Sequence, residues 1–206
     1  MCKKYAQGIL FITLLLVACS CGKNYTPEQK TYISRIEKFR EAKDNSFKND
    51  DDSPFNHKSK IHFDPLKYYD VDPSFVFHSK LYEFPIKDTI KVYGTKGEER
   101  KEVRFGYVTF NFDKKDYKIN LYKGITRNGQ EYYSIWFTDK TTGDETYGVG
   151  RYLDFEYNPN PDFIYTIDFN LAYNPYCAYS PEYSCAVPLK EDHIDLSIKA
   201  GEKRFH

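Results

Sequence analysis

Glu102-Val-Arg-Phe-Gly-Tyr-Val-Thr-Phe-Asn-Phe112, then Asp113-Lys-Lys-Asp116, then Tyr117-Lys-Ile-Asn-Leu-Tyr122 is the stretch that decides the fold. Its arms are mostly aromatic or β-branched, residue types that fit a pleated, half-buried surface. In the second arm Tyr117, Ile119 and Leu121 alternate with Lys118 and Asn120, the two-residue period of a strand with one buried face. The polar residues Asp113–Asp116 read as a turn, so the stretch predicts a β-hairpin. The pattern continues outward. Phe75–Phe84 and Thr89–Tyr93 precede the hairpin, with a turn at Lys96-Gly97. Gln130–Thr138 follows it, with Tyr133, Ile135 and Phe137 on one face and Trp136 on the other. Between them, Arg127-Asn128-Gly129 is expected to form a type I′ turn, because Asn and Gly tolerate the positive φ it needs. Arg151–Tyr157, a turn at Asn158–Asp162 and Phe163–Asn170 come next, and His193–Lys199 is a candidate last strand. Short sequential strands with tight turns predict a mainly β (β-rich α+β) domain over 46–206, an antiparallel meander forming a barrel or sandwich. The 20 Tyr and 16 Phe among 206 residues agree with that reading.

Ahead of the strands, Thr26-Pro27-Glu28-Gln29 announces an amphipathic helix over 27–45: Thr as N-cap, Pro in the first turn, Gln at the capping-box position. Tyr32, Ile33, Ile36 and Phe39 supply its apolar face, and Asp44-Asn45-Ser46 should end it. Earlier still, Lys3 and Lys4 precede the apolar run Ile9–Val17, too short to span a bilayer, which takes roughly 20 apolar residues. Leu16-Val17-Ala18-Cys19 resembles the bacterial lipobox. Residues 1–18 are therefore expected to be a lipoprotein signal peptide, Cys19 the lipidation site and 19–26 a lipidated tether. Several acyl chains, at about 0.8 kcal/mol per buried CH₂, hold a domain firmly to a membrane. Ser20 with no acidic run after it points to the bacterial cell envelope, on the outer membrane facing the periplasm.

Charge narrows the partners. Thirty basic residues balance 30 acidic ones; removing Met1–Ala18 takes Lys3 and Lys4, leaving 28 against 30, or −2. Without a basic excess, nucleic acid is not an expected partner. Asp50-Asp51-Asp52 lacks the alternating oxygen ligands and glycine turn of a calcium loop, and His57 and His62 have no third ligand beside them. No metal and no cofactor are predicted. With Cys2 removed, Cys19 lipidated and Cys21 in the tether, Cys177 and Cys185 are the cysteines of the folded body, and an oxidising compartment favours a disulfide between them. The alternative is a catalytic thiol served by His193.

The loop Thr138–Gly150 is long and polar for a hairpin, and such loops on rigid β scaffolds often carry function. Around it and the following aromatic segment, Asp139, Thr142, Glu145, Tyr147, Arg151, Tyr152, Asp168, Asn170, Tyr173, Asn174 and Tyr179 are the candidate ligand-binding residues. Either Arg151 pairs with Glu145 or Asp168 to hold the loop, or these groups face a polar ligand, with Asp168 and Asn170 projecting from one strand face. Eight tyrosines between Tyr147 and Tyr183 suit a sugar or other ring-shaped ligand, and equally suit structural hydroxyls that satisfy buried backbone. Gly-x-Ser-x-Gly, His-Glu-x-x-His and Cys-x-x-Cys are all missing from the sequence.

The motifs Phe137-Thr-Asp139-x-Thr-Thr142-Gly143-x-Glu145-Thr-Tyr147, Gly150-Arg151-Tyr152-Leu153, Asp168-Phe169-Asn170-x-Ala172-Tyr173-Asn174-Pro175-x-Cys177-Ala178-Tyr179, Cys185-x-x-Pro188 and Ala200-Gly201-Glu202 together resemble the bacterial and archaeal family called domain of unknown function 1684. The likeness covers roughly 31–202 and departs from the family's usual prolines at Tyr176 and at Ala186-Val187. It carries no activity over. It implies that these polar positions belong together, as one site or one structural knot, and that Cys177 and Cys185 also occur as reduced thiols in that family. Three functions fit: a lipid-anchored envelope protein binding a small polar or carbohydrate-like ligand, a hydrolase using Glu145 or Asp168 as general base with Arg151 steadying an anionic substrate, and a structural envelope lipoprotein without a ligand.

Overall fold

The computed structural model describes residues 23–57, 60–126 and 128–206. The signal peptide, Cys2, Cys19, Cys21 and Arg127 lie outside the described residues.

Helix α1 spans Pro27–Asn49 and opens with a complete capping box: Gln29 N–H donates to Thr26 Oγ1, and Thr26 N–H donates to Gln29 Oε1. It runs four residues past the expected end at Asn45. Tertiary packing decides this, because Phe47 is buried in an aromatic cluster with Phe55, Tyr179 and Phe205, which outweighs the poor helix propensity of Asn45 and Ser46.

Among the described residues nine strands follow: β1 Val76–Ser79, β2 Tyr82–Glu83, β3 Thr89–Tyr93, β4 Glu99–Phe112, β5 Lys115–Ile125, β6 Glu131–Asp139, β7 Arg151–Asp154, β8 Tyr165–Asp168 and β9 His193–Ile194. β4, β5, β6 and β7 form the antiparallel meander, with β2 and β3 both pairing β4. β1 and β8 make a separate two-stranded antiparallel ribbon. A register shift between Arg104 and Gly106 marks a bulge that bends the β4–β5 hairpin.

The sheet does not close into a barrel; the arrangement is sandwich-like. The main core lies between the sheet and the ribbon, joining Val108, Phe110, Leu121, Ile135 and Phe137 to Phe75, Tyr165, Ile167 and Phe169. Ile194, Ile198 and Ala200 complete it at one end. A smaller cluster on Val92, Tyr122, Trp136 and Ala186 includes Tyr122 and Trp136 stacked at 4.8 Å.

Several local expectations change. The turn with two positive-φ residues sits at Asp113 (φ 49°) and Lys114 (φ 64°), so the β4–β5 connection is the two-residue type I′ hairpin. At the β5–β6 turn only Gly129, among the described loop residues, has positive φ, at 83°. The strand predicted through Asn170 stops at Asp168, where the Asp168 carboxylate accepts the Asn170 N–H at 2.9 Å and caps a 3₁₀ turn over Phe169–Leu171. Asp168 and Asn170 therefore do not share a strand face. β9 is only two residues long and pairs β6 in parallel, opposite Thr138 and Asp139.

Candidate functional site

Arg151 opens β7 and is 1 % exposed. Its Nη2 donates to Asp139 Oδ2 at 3.1 Å and to the Ile198 carbonyl at 2.9 Å, while Nη1 donates to the carbonyls of Ala200 and Glu202. The segment 198–202 is thus a carbonyl cup for one guanidinium. Gly201 allows it: φ is +75°, and a Cβ there would stand 2.5 Å from the Ala172 carbonyl oxygen. Burial pulls the Arg151 pKa down, and Asp139 opposes that fall. Asp139 spends its remaining capacity on Thr141 Oγ1 at 2.7 Å, Thr142 Oγ1 at 3.1 Å and the Ile198 N–H at 2.8 Å. At Gly150, φ +109°, a Cβ would stand 2.5 Å from the Phe137 carbonyl oxygen, so a glycine is what lets the chain enter β7 this close to β6. The polar loop before it is stapled shut rather than held open for a ligand.

The other expected carboxylates point elsewhere. Glu145 pairs with Lys199 at 2.9 Å near the surface. Asp168 accepts the Tyr32 hydroxyl of α1 on both oxygens, at 2.8 and 2.7 Å, and burial, reinforced by this bond, raises the Tyr32 pKa. Asn170 reads the backbone of Asp72, accepting its N–H and donating to its carbonyl, both at 2.8 Å. The hydrolase constellation of Glu145, Asp168 and Arg151 is therefore not assembled: the guanidinium is closed off and each carboxylate is engaged separately.

The open space lies under α1. A cavity of about 710 Å³ is bounded by Phe39, Lys43 and Phe47 of the helix, by Tyr152 and Asp154 of β7, by Thr166 and Asp168 of β8, and by Tyr173, Tyr176, Tyr183 and Cys185. Its wall is chiefly apolar, and its aromatic residues are Phe39, Phe47, Tyr152, Tyr173, Tyr176 and Tyr183. Phe39, at 50 % exposed, and Leu171 and Tyr176 at 37 % and 39 %, form an apolar rim. Asp154 accepts the Tyr173 hydroxyl at 2.6 Å, and the Tyr152 hydroxyl donates to the Ala186 carbonyl. Burial raises the pKa of both tyrosines, so each hydroxyl stays a donor. Lys43 Nζ lies 4.8 Å from the Tyr173 ring centroid and bonds the buried Glu202 Oε1 at 2.7 Å. Behind the wall, Glu202 Oε2 accepts the Asn174 N–H at 2.9 Å and the Tyr179 hydroxyl.

Of the sequence candidates, the structure brings Tyr152, Asp168 and Tyr173 to this cavity. Asn174 and Tyr179 stand behind it on Glu202. Asp139, Thr142 and Arg151 form the knot. The Tyr147 hydroxyl faces both the Cys177 carbonyl, at 3.3 Å, and the Cys177 sulfur, at 3.8 Å. Sequence reasoning missed Lys43, Phe47, Asp154 and Tyr176 as wall residues. The available signal was the four-residue spacing of Phe39, Lys43 and Phe47, which sets all three on one helix face.

Cys177 and Cys185 are adjacent free thiols, with the Cys177 N–H 3.2 Å from Cys185 Sγ. The His193 Nδ1 lies 3.1 Å from Thr138 Oγ1. Among the described residues, no group of three or more His, Cys, Asp or Glu is placed to hold a metal ion.

A family model described as a protein of unknown function (DUF1684) matches residues 61–203. The solution NMR structure of an uncharacterized protein from Haloarcula marismortui is similar with a TM-score of 0.60 and 26 % identity, over 85 % of this chain and 96 % of that one. No curated protein matches. Helix α1, one whole wall of the cavity, precedes the residues that the family model matches.

Proposed function

The chain belongs to the DUF1684 family, and from that premise we propose that it is a lipid-anchored envelope protein whose cavity under α1 binds a small polar or carbohydrate-like molecule. The carrying observation is the wall itself: Phe39, Tyr173 and Tyr176 line it with aromatic rings, while Asp154, Thr166 and Lys43 add polar and charged groups to the lining. A pyranose ring presents the matching chemistry, apolar C–H faces and a hydroxyl rim. Pockets of this kind combine an apolar lining with a few convergent polar groups. The knot at Arg151 serves binding indirectly, by holding β7 and the 198–202 segment rigid behind the wall.

Calorimetric titration and thermal-shift screening with neutral, acidic and amino sugars test this reading. A binder at a hundredfold excess over its Kd adds about 2.7 kcal/mol to stability. Phe39→Ser and Tyr176→Ala remove exposed rings, so each is expected to weaken binding about tenfold, the equivalent of roughly 1.4 kcal/mol, with little change in the unliganded melting temperature. A panel without a binder, or variants that bind like the wild type, would sink the proposal in favour of a structural lipoprotein.

The anchoring half of the proposal rests on the lipobox. Cys19 precedes the N-cap Thr26 by seven residues, a tether that reaches at most about 24 Å from the bilayer. Cys19→Ala should move the chain from the detergent phase to the aqueous phase. Unchanged partitioning would refute lipidation at Cys19.

A further inference from the structure

We propose that Cys177 and Cys185 are a redox-active dithiol at the edge of the cavity, with Cys177 the attacking thiolate and Cys185 the resolving thiol in exchange with small or protein disulfides. Three segments converge there from distant parts of the chain, around Thr95, Tyr147 and 177–185. The Tyr147 hydroxyl lies 3.8 Å from the Cys177 sulfur. Cys185 first, then Tyr147 and Thr95, pull the Cys177 pKa down against its burial. The Cys177 N–H points at Cys185 Sγ from 3.2 Å. Donors gathered around one sulfur favour its thiolate and activate it for exchange. The two residues are not equivalent: Cys177 is half-buried, whereas Cys185 is buried and forms part of the cavity wall. That is the asymmetry an attacking and a resolving thiol require. Cys185 is also the better-fixed partner, because its N–H donates to Thr95 Oγ1 at 3.2 Å and its carbonyl accepts the Thr95 N–H at 2.9 Å.

The exchange balances. Cys177 thiolate attacks one sulfur of an incoming disulfide, forming a mixed disulfide and expelling the other half as a thiolate. Cys185 then loses its proton and attacks Cys177 Sγ, forming the Cys177–Cys185 bond and releasing the second thiol. Two electrons pass from the protein to the incoming disulfide. The closed loop carries Tyr179 and Tyr183, so the bond fixes part of the cavity wall.

The test uses the full-length chain in detergent micelles. Alkylation of Cys177 by iodoacetamide, followed by mass spectrometry across pH, should be half-maximal near pH 6, where the hydrogen bonds from Cys185 and Tyr147 hold its thiol. At pH 6.5 that makes it at least about tenfold faster than an ordinary thiol. Tyr147→Phe removes one donor and should move the profile to higher pH, slowing alkylation at pH 6.5 severalfold while leaving the fold intact. Cys185→Ser should trap one glutathione on Cys177 after exposure to glutathione disulfide, whereas Cys177→Ser should trap none on the peptide that carries Cys185, peptide mapping keeping any adduct at Cys21 of the tether apart. The wild type should lose two hydrogens in that buffer and regain them in excess reduced glutathione. Three outcomes each overturn the proposal: an ordinary alkylation profile in both wild type and Cys185→Ser, a wild type that stays a dithiol, or a bond that excess reduced glutathione does not open, which is the mark of a structural disulfide.

Discussion

Arg151 and Lys43 are cations that reach the same residue, Glu202, from opposite sides. Arg151 touches its backbone carbonyl at 3.3 Å and Lys43 its carboxylate at 2.7 Å. Around Arg151 four acceptors close on one guanidinium, and its Asp139 partner is itself fully occupied. Around Lys43 one side of the ammonium meets Glu202 and the other meets aromatic rings and open space. Charge density is higher in the first region, yet the second is the one a ligand can enter. Both terminal nitrogens of the buried guanidinium are spent on the protein and its Nε alone lacks a partner, so the most conspicuous polar cluster is the least available. The sparse one, where apolar side chains do most of the lining, is left free to recognise something else.

Breaking the closed side should cost most. Arg151→Met leaves the Asp139 carboxylate buried without its cation and frees three carbonyls of the 198–202 cup, a loss of roughly 3–5 kcal/mol in urea unfolding. Asp139→Asn in the same chain removes the stranded charge, so the double variant should lose clearly less than the two single losses added together. Strict additivity would mean that the pair is not coupled and that the knot is not what holds the loop.

The strand pattern that frames both regions was legible because it is local. Tyr117, Ile119 and Leu121 alternate, and all lie on the core side of the observed β5 with Ile119 and Leu121 fully buried. The Arg151 cluster was half legible: Asp139 and Arg151 do pair, but no spacing rule says that the rest of the cup is backbone from Ile198, Ala200 and Glu202. The cavity was least legible. Its two walls lie more than a hundred residues apart in sequence, and Phe47 joins its wall only because α1 outruns the Asp44-Asn45-Ser46 stop. Asp168 illustrates the limit of period-two reasoning, since its own side chain caps the turn that ends the strand and sends Asn170 toward Asp72.

Breaking the open side should cost less. Lys43→Met removes the cation from Glu202, but that carboxylate keeps the Asn174 N–H and the Tyr179 hydroxyl. Lys43 is also partly exposed, so the expected loss is about 2 kcal/mol rather than the full cost of a stranded charge. A loss as large as that of Arg151→Met would erase the contrast between the two sides and make Lys43 a structural residue.

Glu102 sharpens the comparison with the smallest effect. It is 4 % exposed on β4, its Oε1 accepts the Tyr132 hydroxyl at 2.8 Å, and its buried Oε2 has no hydrogen-bond partner in the protein. It is therefore a knot left incomplete, and burial raises its pKa above the ordinary 4.5. The sign follows from proton binding. Between the ordinary value and the raised one, the native state holds a proton that the unfolded chain has released, so stability contributed by this group falls as pH rises through that window. Glu102→Gln lacks the slope, and an amide is less costly to bury than a carboxylate. The variant should match the wild type near pH 4 and exceed it by about 1 kcal/mol at pH 7.5 in urea midpoints. A gap that is the same at both pH values would show that packing, not the unpaired oxygen, sets the difference, and that an incomplete knot costs this protein nothing.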